Sequence, residues 1–426
     1  MREMKDSRIE WVGAIPQNWQ LSKIGSLYTQ RNEKVSDKDY QPLSVTMQGI
    51  LPQLATAAKT DDGDNRKLVR VGDFAINSRS DRRGSCGISP LDGSVSLINI
   101  ILTPRTAMHP GYYNWLFHTT LFADEFYKWG HGIVADLWTT RWQEMKSITV
   151  PVPEYAEQER IAAFLNAECA EIDAVLEKTR ASIEEYKKLK QAVITQAVTK
   201  GISGDRPMKD SGIEWIGDIP ESWEVSSVRY IGQLQNGISK GGEFFGKGFP
   251  FVSYGDVYKN YELPHSVSGL IDTTEDERAT YSVEYGDIFF TRTSETIEEV
   301  GFSCVCKRSI PNATFAGFII RLRPFCADEK ILTDYAKYYF RGEHIRAYLV
   351  KEMNLVTRAS LGQTLLKGMS VIVPPKSVQK EIAEYLDDKC ADIDALVAKK
   401  QQYLTEIENY KKSLIYEYVT GKKEVV

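Results

Sequence analysis

The densest run of chemistry-bearing side chains lies between positions 64 and 83. Arg66, Lys67, Arg70, Arg79, Arg82 and Arg83 stand there against Asp64, Asp73 and Asp81. Arginine's planar guanidinium matches the paired acceptors of a guanine edge, and arginine and lysine are the usual partners of phosphate. Such a run suits nucleic acid, although a solvated charged loop has the same composition. In the second half Lys240, Lys247, Arg292, Arg321, Arg323, Arg358 and Lys367 are further cations that do not cluster in sequence. Arg79 and Arg292 each follow a Gly-Asp strand, and Arg141 and Arg358 each follow a threonine, so these four are expected at equivalent places. The candidate contacts to nucleic acid are therefore Arg66, Lys67, Arg79, Arg82, Arg83, Arg141, Lys240, Lys247, Arg292 and Arg358.

Other chemistries find little support. No Gly-x-x-x-x-Gly-Lys-Ser/Thr loop is present to cradle a phosphate. Gly130-His131-Gly132-Ile133-Val134-Ala135 fits a dinucleotide fingerprint only loosely and follows helix-like aromatic sequence rather than a strand. Cys304-Val305-Cys306 lacks a second ligand pair, and His109, His118 and His131 are at no metal-binding spacing. Glu144 with Lys146, and Asp328-Glu329-Lys330, lack the acidic partners of a nuclease. No nucleophile–base constellation recurs, so the residues read as a binding scaffold with no catalytic residues, no metal and no cofactor of its own.

These side chains sit in a chain of 426 residues, long enough for two or three packed units, with 42% hydrophobic and 26% charged residues. Six cysteines are too sparse for a disulfide scaffold, and the chain shows neither a signal-peptide core nor an apolar run of membrane-spanning length. A cytoplasmic protein without membrane contact is expected. The net charge of -5 argues against attachment to nucleic acid by bulk charge alone, yet from Arg31 to Lys146 there are 14 basic residues against 13 acidic.

The chain is written twice. Met4-Lys5-Asp6-Ser7-Arg8-Ile9-Glu10-Trp11-Val12-Gly13-Ala14-Ile15-Pro16-Gln17-Asn18-Trp19 returns, with few changes, as Met208 to Trp223. A second block, Val150-Pro151-Val152-Pro153 followed by Gln158, Ile161-Ala162, Leu165, Cys169-Ala170 and Ile172-Asp173-Ala174, returns from Val371 through Gln379, Ile382-Ala383, Leu386 and Cys390-Ala391 to Ala395. The sequence between them diverges, sharing signals such as Gly72-Asp73 with Gly286-Asp287 and Tyr112 to Phe117 with Tyr335 to Phe340. The layout is a shared opening, a variable body and a shared closing segment, repeated once.

Each closing segment reads as a long helix. From Gln158 to Lys200 there is neither proline nor glycine, and apolar residues recur at heptad-like spacing: Ile172, Leu176, Ile183, Tyr186, Leu189, Val193 and Ala197. The second copy repeats the register at Ile393, Val397, Leu404, Ile407, Tyr410 and Leu414. Helix pairing is expected through Ile172, Leu176, Ile183, Tyr186, Val193, Ile393, Val397, Leu404, Ile407 and Leu414. A rod of ~65 Å with one apolar stripe must bury it, and the other copy is the natural partner. The repeat makes the pair antiparallel, a coiled coil in an internal pseudo-twofold repeat, with the chain nearly cyclic. The fold class is α+β, with two mixed α/β bodies joined by these helices. The domains run 1–153, 154–201 (first spacer helix), 202–375 and 376–426 (second spacer helix).

This pattern resembles the specificity subunit of type I restriction–modification systems. The matching features are Ile-Glu-Trp-x-Gly-x-Ile-Pro-x-x-Trp at Ile9 and again at Ile213, the Gly-Asp strand, the Val-Pro-x-Pro…Gln-x-x-Ile-Ala closing motif and the long helix. The second closing motif departs from the pattern: the glutamate before Gln158 has no counterpart before Gln379. The resemblance implies two target-recognition domains, each reading half of a bipartite sequence in double-stranded DNA. The helices would set the gap and dock two methyltransferase subunits. Those subunits would bind S-adenosylmethionine and methylate adenine, and restriction (motor-nuclease) subunits would complete the complex. The rival readings are a self-sufficient DNA methyltransferase or endonuclease with an unrecognised site, and a coiled-coil adaptor that binds no DNA.

Overall fold

A computed structural model describes residues 2–54, 63–105, 108–132, 138–204, 206–294, 299–352 and 359–425. The chain divides into two compact units, Met1–Arg180 with Gln401–Val426, and Ala181–Lys400. By secondary structure the long helices are elements of their own; by compactness each is shared out between the units. Unit 1 thus holds the first opening segment, the first body and a stretch of both helices. Unit 2 holds the second set.

The two bodies are built alike. In unit 1 a four-stranded antiparallel sheet runs in the order Cys86–Ile88, Phe74–Asn77, Asn99–Pro104, Tyr28–Arg31. In unit 2 the same order, from the other edge, is Gly232–Asn236, Ile319–Pro324, Ile288–Thr291, Ser303–Val305. The central strands Phe74–Asn77 and Ile288–Thr291 are buried along their whole length, which is why they read as unbroken apolar runs. The aromatic segments are helices Pro110–Phe117 and Thr333–Tyr339, and their rings lie in the core.

The repeated Gly-Asp is a structural turn. Gly72 and Gly286 both take φ near +87°, a left-handed conformation that suits glycine. The following aspartate then folds back on the turn: Asp73 accepts from the Arg70 N–H at 2.9 Å and Asp287 from the Glu284 N–H at 2.8 Å. Each buried carboxylate also meets an arginine from another strand of the same sheet. Arg31 Nε lies 2.7 Å from Asp73, and Arg323 Nη2 lies 2.6 Å from Asp287.

The closing segments form helices Tyr155–Lys200 and Lys376–Val419. Within each unit they run antiparallel. Unit 1 pairs Asp173 with Lys411 at 2.6 Å and Arg180 with Glu408 at 2.6 Å, while Phe164 meets Tyr418 with centroids 4.4 Å apart. Unit 2 pairs Lys190 with Asp394 at 2.6 Å. Asp173–Lys411 and Lys190–Asp394 are the same ion pair with the roles of the helices exchanged. The pairing stripe departs from the expected heptad at one step. Leu189 and Tyr410 face solvent, and Lys190 and Lys411 take the seam, four residues after Tyr186 and Ile407. Their stems lie along the apolar stripe while the ammonium reaches a carboxylate on the facing helix. Leu176, Ile183, Ile393 and Leu414 are buried; Ile172, Tyr186, Val193, Val397, Leu404 and Ile407 are half-buried.

Both ends of each helix are tied to a body by the repeated residues. Gln158 donates to the Pro153 carbonyl at 2.8 Å and accepts from the His109 N–H at 3.0 Å. Gln379 donates to the carbonyls of Pro374 and Lys330 and accepts from the Leu332 N–H at 2.7 Å. The helices stop at Gly201 and Gly421, at φ +82° and +72°. Lys200, just before the first glycine, donates to the carbonyls of Ile216 and Asp218. Lys422, just after the second, donates to those of Val12 and Ala14, the matching positions of the other opening segment. Tyr112 Oη donates to the Val419 carbonyl at 2.7 Å, and Tyr335 Oη to that of Val198 at 3.1 Å.

The missing glutamate of the second closing motif has a visible consequence. Trp19 Nε1 donates to Glu157 at 2.9 Å, and Arg2 pairs with the same carboxylate at 2.6 Å. Val378 occupies that position in the second copy, and the buried Trp223 Nε1 has no partner among the described residues.

Unit 2 also buries a histidine without partners. His344, at the start of helix Glu343–Glu352, packs on Tyr339 with centroids 4.7 Å apart, and neither ring nitrogen is hydrogen-bonded among the described residues. Burial pushes its pKa down to about 3. The unfolded chain takes up the proton near pH 6.5 and the folded chain does not, so stability is full above 6.5 and falls with pH towards 3. Between pH 7 and pH 5 the loss is about 2 kcal/mol. Hydrogen exchange of residues 343–352 should report it, and His344→Leu should remove it; an unchanged pH dependence in the variant would refute the assignment.

Candidate nucleic-acid interface

In unit 1 the segment after strand Phe74–Asn77 is laced to residues 138–141. Ser80 N–H donates to the Trp138 carbonyl and Thr140 N–H to that of Ser78, both at 3.0 Å, and Arg79 pairs with Thr139 in a β-bridge. Thr140 Oγ1 anchors the second segment on the Phe126 carbonyl at 2.9 Å. Arg79, Arg82, Arg83 and Arg141 therefore come together on one rim. Arg82 has 70% of its side chain exposed, with Asp81 at 3.7 Å. Arg83 pairs with Asp124 and lies 5.8 Å from the Tyr127 ring centre. Arg141 is exposed, its backbone N–H held by Glu144 at 3.0 Å. A cleft of about 440 Å³ lined by Ser80, Arg83, Asp124, Tyr127, Lys128 and Trp138 opens beside them.

Two arginine-run candidates are elsewhere. Arg66 is buried in strand Arg66–Val69, with Nε 2.9 Å from Ser94 Oγ and Nη2 3.0 Å from the Ser94 carbonyl. Lys67 donates to the Asn99 carbonyl at 2.7 Å. Burial lowers the pKa of both, so these cations hold the body together and do not face a ligand. The charge run is one segment in sequence but a strand followed by a rim in space.

In unit 2 the scattered cations are brought together. Arg292 N–H donates to the Phe318 carbonyl at 2.9 Å. Phe318 follows Ala316, which bridges Ile238, and two residues on Lys240 donates to the Asp272 carbonyl at 2.8 Å. Asp272 lies 3.8 Å from Lys247, and Lys240 sits 4.9 Å over the Phe244 ring. Lys240 is also paired with Glu277 at 2.6 Å, which neutralises it; Lys247 is mostly exposed. Strand Phe245–Val252 carries a bulge here, since Phe245 and Phe249 both pair with Ile271. Gly246 and Gly248, at φ +84° and +90°, make that excursion and set Lys247 at its tip. Arg321 and Arg323 point into the body instead.

The expected equivalences shift. Counting from the shared Asp73 and Asp287, the counterpart of Arg79 is Thr293, and that of Arg292 is Ser78. Successive strand residues face opposite sides, so Arg79 and Arg292 do not occupy matching places. Arg141 precedes helix Trp142–Met145, as Gly362 precedes helix Gln363–Gly368, so Gly362 takes its place. Arg358 lies outside the described residues. Phe318, missed in the sequence, is signalled there only by a glycine before an aromatic at a strand start.

The remaining candidates serve the fold. Cys304 and Cys306 are buried free thiols, the latter pushed up to about 12 by burial. His118 Nδ1 is 2.7 Å from the Asn114 carbonyl, and Asp328 accepts from the Thr333 N–H at 2.7 Å. Among the described residues no cluster of three His, Cys, Asp or Glu could hold a metal ion, and no helix is long and apolar enough to cross a membrane.

Comparison with known proteins follows the same lines. Residues 220–408 match the family model of the type I restriction modification DNA specificity domain. The chain is 22% identical to the type I restriction enzyme EcoKI specificity subunit of Escherichia coli (strain K12), covering 96% of this chain and 90% of that one. The StySPI specificity subunit of Salmonella potsdam gives the same identity and coverage. The chain is thus similar, over nearly its whole length, to type I specificity subunits. The fold agrees with those of solved specificity subunits. A chain from a structure of complex assembly and conformational transition in a type I R-M system superposes with TM-score 0.74 at 14% identity, covering 96% of this chain and 99% of that one. The HsdS subunit from Thermoanaerobacter tengcongensis gives 0.50 at 16%, covering 96% and 98%. The span matched by the family model takes in the second body and most of the second long helix.

Proposed function

We propose that this chain is the non-catalytic DNA-recognition subunit of a type I restriction–modification assembly, with each body reading one half of a bipartite target in double-stranded DNA. The observation that carries the reading is a duplicated frame, matched down to Lys190–Asp394 and Lys411–Asp173, that presents two bodies with different rims of cations and aromatics. Identical mounting with divergent readers is what two half-site specificities require. The long helices would set the gap and dock methyltransferase subunits, two by the symmetry of the frame, with S-adenosylmethionine bound on those subunits. Motor-nuclease subunits would complete a restriction complex.

Several rim cations are already paired, and the net charge is -5, so the chain alone should bind weakly and in a salt-sensitive way. Affinity should rise when methyltransferase subunits close around the duplex. The test is selection from a random-sequence duplex pool by the full chain with and without those subunits. Enrichment of two short motifs at a fixed gap is expected; one uninterrupted motif, or none, refutes the reading. Methylation or cleavage by the purified chain alone would favour a self-sufficient enzyme.

A further inference from the structure

The loop Ala316-Gly317-Phe318 joins strand Thr314–Phe315 to strand Ile319–Pro324 in unit 2. It presents a phenylalanine with 64% of its surface exposed, among the most exposed large apolar side chains of the described residues. The loop under it is fixed. Ala316 N–H donates to the Val252 carbonyl at 3.1 Å, Ile319 N–H to that of Ala316 at 3.0 Å, Gly237 N–H to that of Ile319 at 3.1 Å, and the Phe318 carbonyl accepts from Arg292. A Cβ at Gly317 would displace Ser239 Oγ and stand 3.2 Å from the Ile238 carbonyl, so the loop is closely packed there. The adjoining Ile319 is fully buried. An apolar ring kept in water on a backbone held this firmly forgoes the gain of burial, which is on the scale of a whole core side chain.

Its neighbours say what would cover it. Arg292 is joined to it by a backbone hydrogen bond, and Lys247 is mostly exposed on the neighbouring bulge. Lys240 is neutralised by Glu277, so the positive charge beside the ring comes from Arg292 and Lys247, and it suits a polyanion. An apolar ring beside an arginine at the end of a sheet matches the major-groove edge of a base pair that carries the thymine methyl, with phosphates flanking it. Unit 1 has Ser78 and Ile98 at the corresponding hydrogen bond, so the pair belongs to unit 2 alone.

Resting on the DNA-recognition reading, we propose that Phe318 is a specificity-determining residue of unit 2 that contacts a thymine methyl, with Arg292 as its neighbouring base or phosphate contact. The test is the same duplex selection with the full chain and its methyltransferase subunits, repeated with Phe318→Ala and Arg292→Ala. Phe318→Ala should fold with unchanged thermal stability. It should lose about tenfold of the preference for thymine at one position of one half-site and leave the other half-site untouched. Arg292→Ala should weaken the same half-site and reduce the dependence of affinity on salt if it holds a phosphate. A profile for Phe318→Ala identical to wild type, or one changed equally in both half-sites, overturns the inference while the DNA-recognition reading stands. A wild-type chain that enriches no motif overturns both.

Discussion

Asp73→Ala is expected to destabilise unit 1 by about 3–5 kcal/mol, the range for breaking a buried charge pair. The substitution strands Arg31 beside the sheet, and it removes the acceptor of the Arg70 N–H and of Thr103 Oγ1 in the same step. Asp287→Ala should cost unit 2 less, because Arg323 loses two hydrogen bonds to the carboxylate but keeps Glu284 at 3.0 Å and the Ser282 carbonyl. Burial raises the Asp287 pKa even with Arg323 alongside, so desolvation outweighs the pairing. In unit 1 the pair is costlier to break than to bury, because Asp73 is the acceptor that Arg31 uses. Hydrogen exchange in strands Phe74–Asn77 and Ile288–Thr291 separates the two units. Protection that survives Asp73→Ala in unit 1 would show that the turn does not depend on the pair.

Inserting seven residues after Arg180 in the first helix alone should abolish assembly and methylation. The insertion adds about 10.5 Å to one helix and keeps its apolar stripe in phase to within ~20°. Unit 1 still needs Asp173 against Lys411, and unit 2 still needs Lys190 against Asp394. With one connection longer than the other, the antiparallel pairs of both units cannot all form. A matched insertion after Lys400 restores the balance. The doubly lengthened chain should fold, and with its methyltransferase subunits it should direct methylation at a longer gap between half-motifs, read by mapping methylated sites. A gap unchanged by the matched insertion would refute the proposal that the helices set the spacing.

The frame was legible because it is repeated. The glutamines of the first helical turns, Gln158 and Gln379, the stops at Gly201 and Gly421, and the Gly-Asp turns all carry signatures whose cause is local. The heptad failed only at Leu189 and Tyr410. A lysine with a carboxylate across the seam takes the buried place there, and spacing alone does not show which carboxylate faces it. The rims were less legible for a physical reason. Arg66 and Arg82 are chemically alike in sequence, and only the pleat of strand Arg66–Val69 decides that the first points inward. Lys240, Lys247 and Arg292 were scattered in sequence because strand pairing, not proximity along the chain, gathers them. Arg79 and Arg292 matched by motif but differ by one residue from the shared aspartate, enough to reverse the side they face.

The docking of Lys422 on Val12 and Ala14 also fixes the order in which the units are completed. Unit 2 is a single stretch, Ala181–Lys400, and can close as soon as its last residue leaves the ribosome. Unit 1 is discontinuous: Trp11, Val12, Ile15 and Trp19 share a core with Leu414, Ile415 and Val419, some 400 residues later. The first body to be made is therefore the last to be finished, and it holds an open apolar face throughout translation. A nascent chain with Lys400 clear of the ribosome and the residues after it still inside should carry a complete second reader and an incomplete first one.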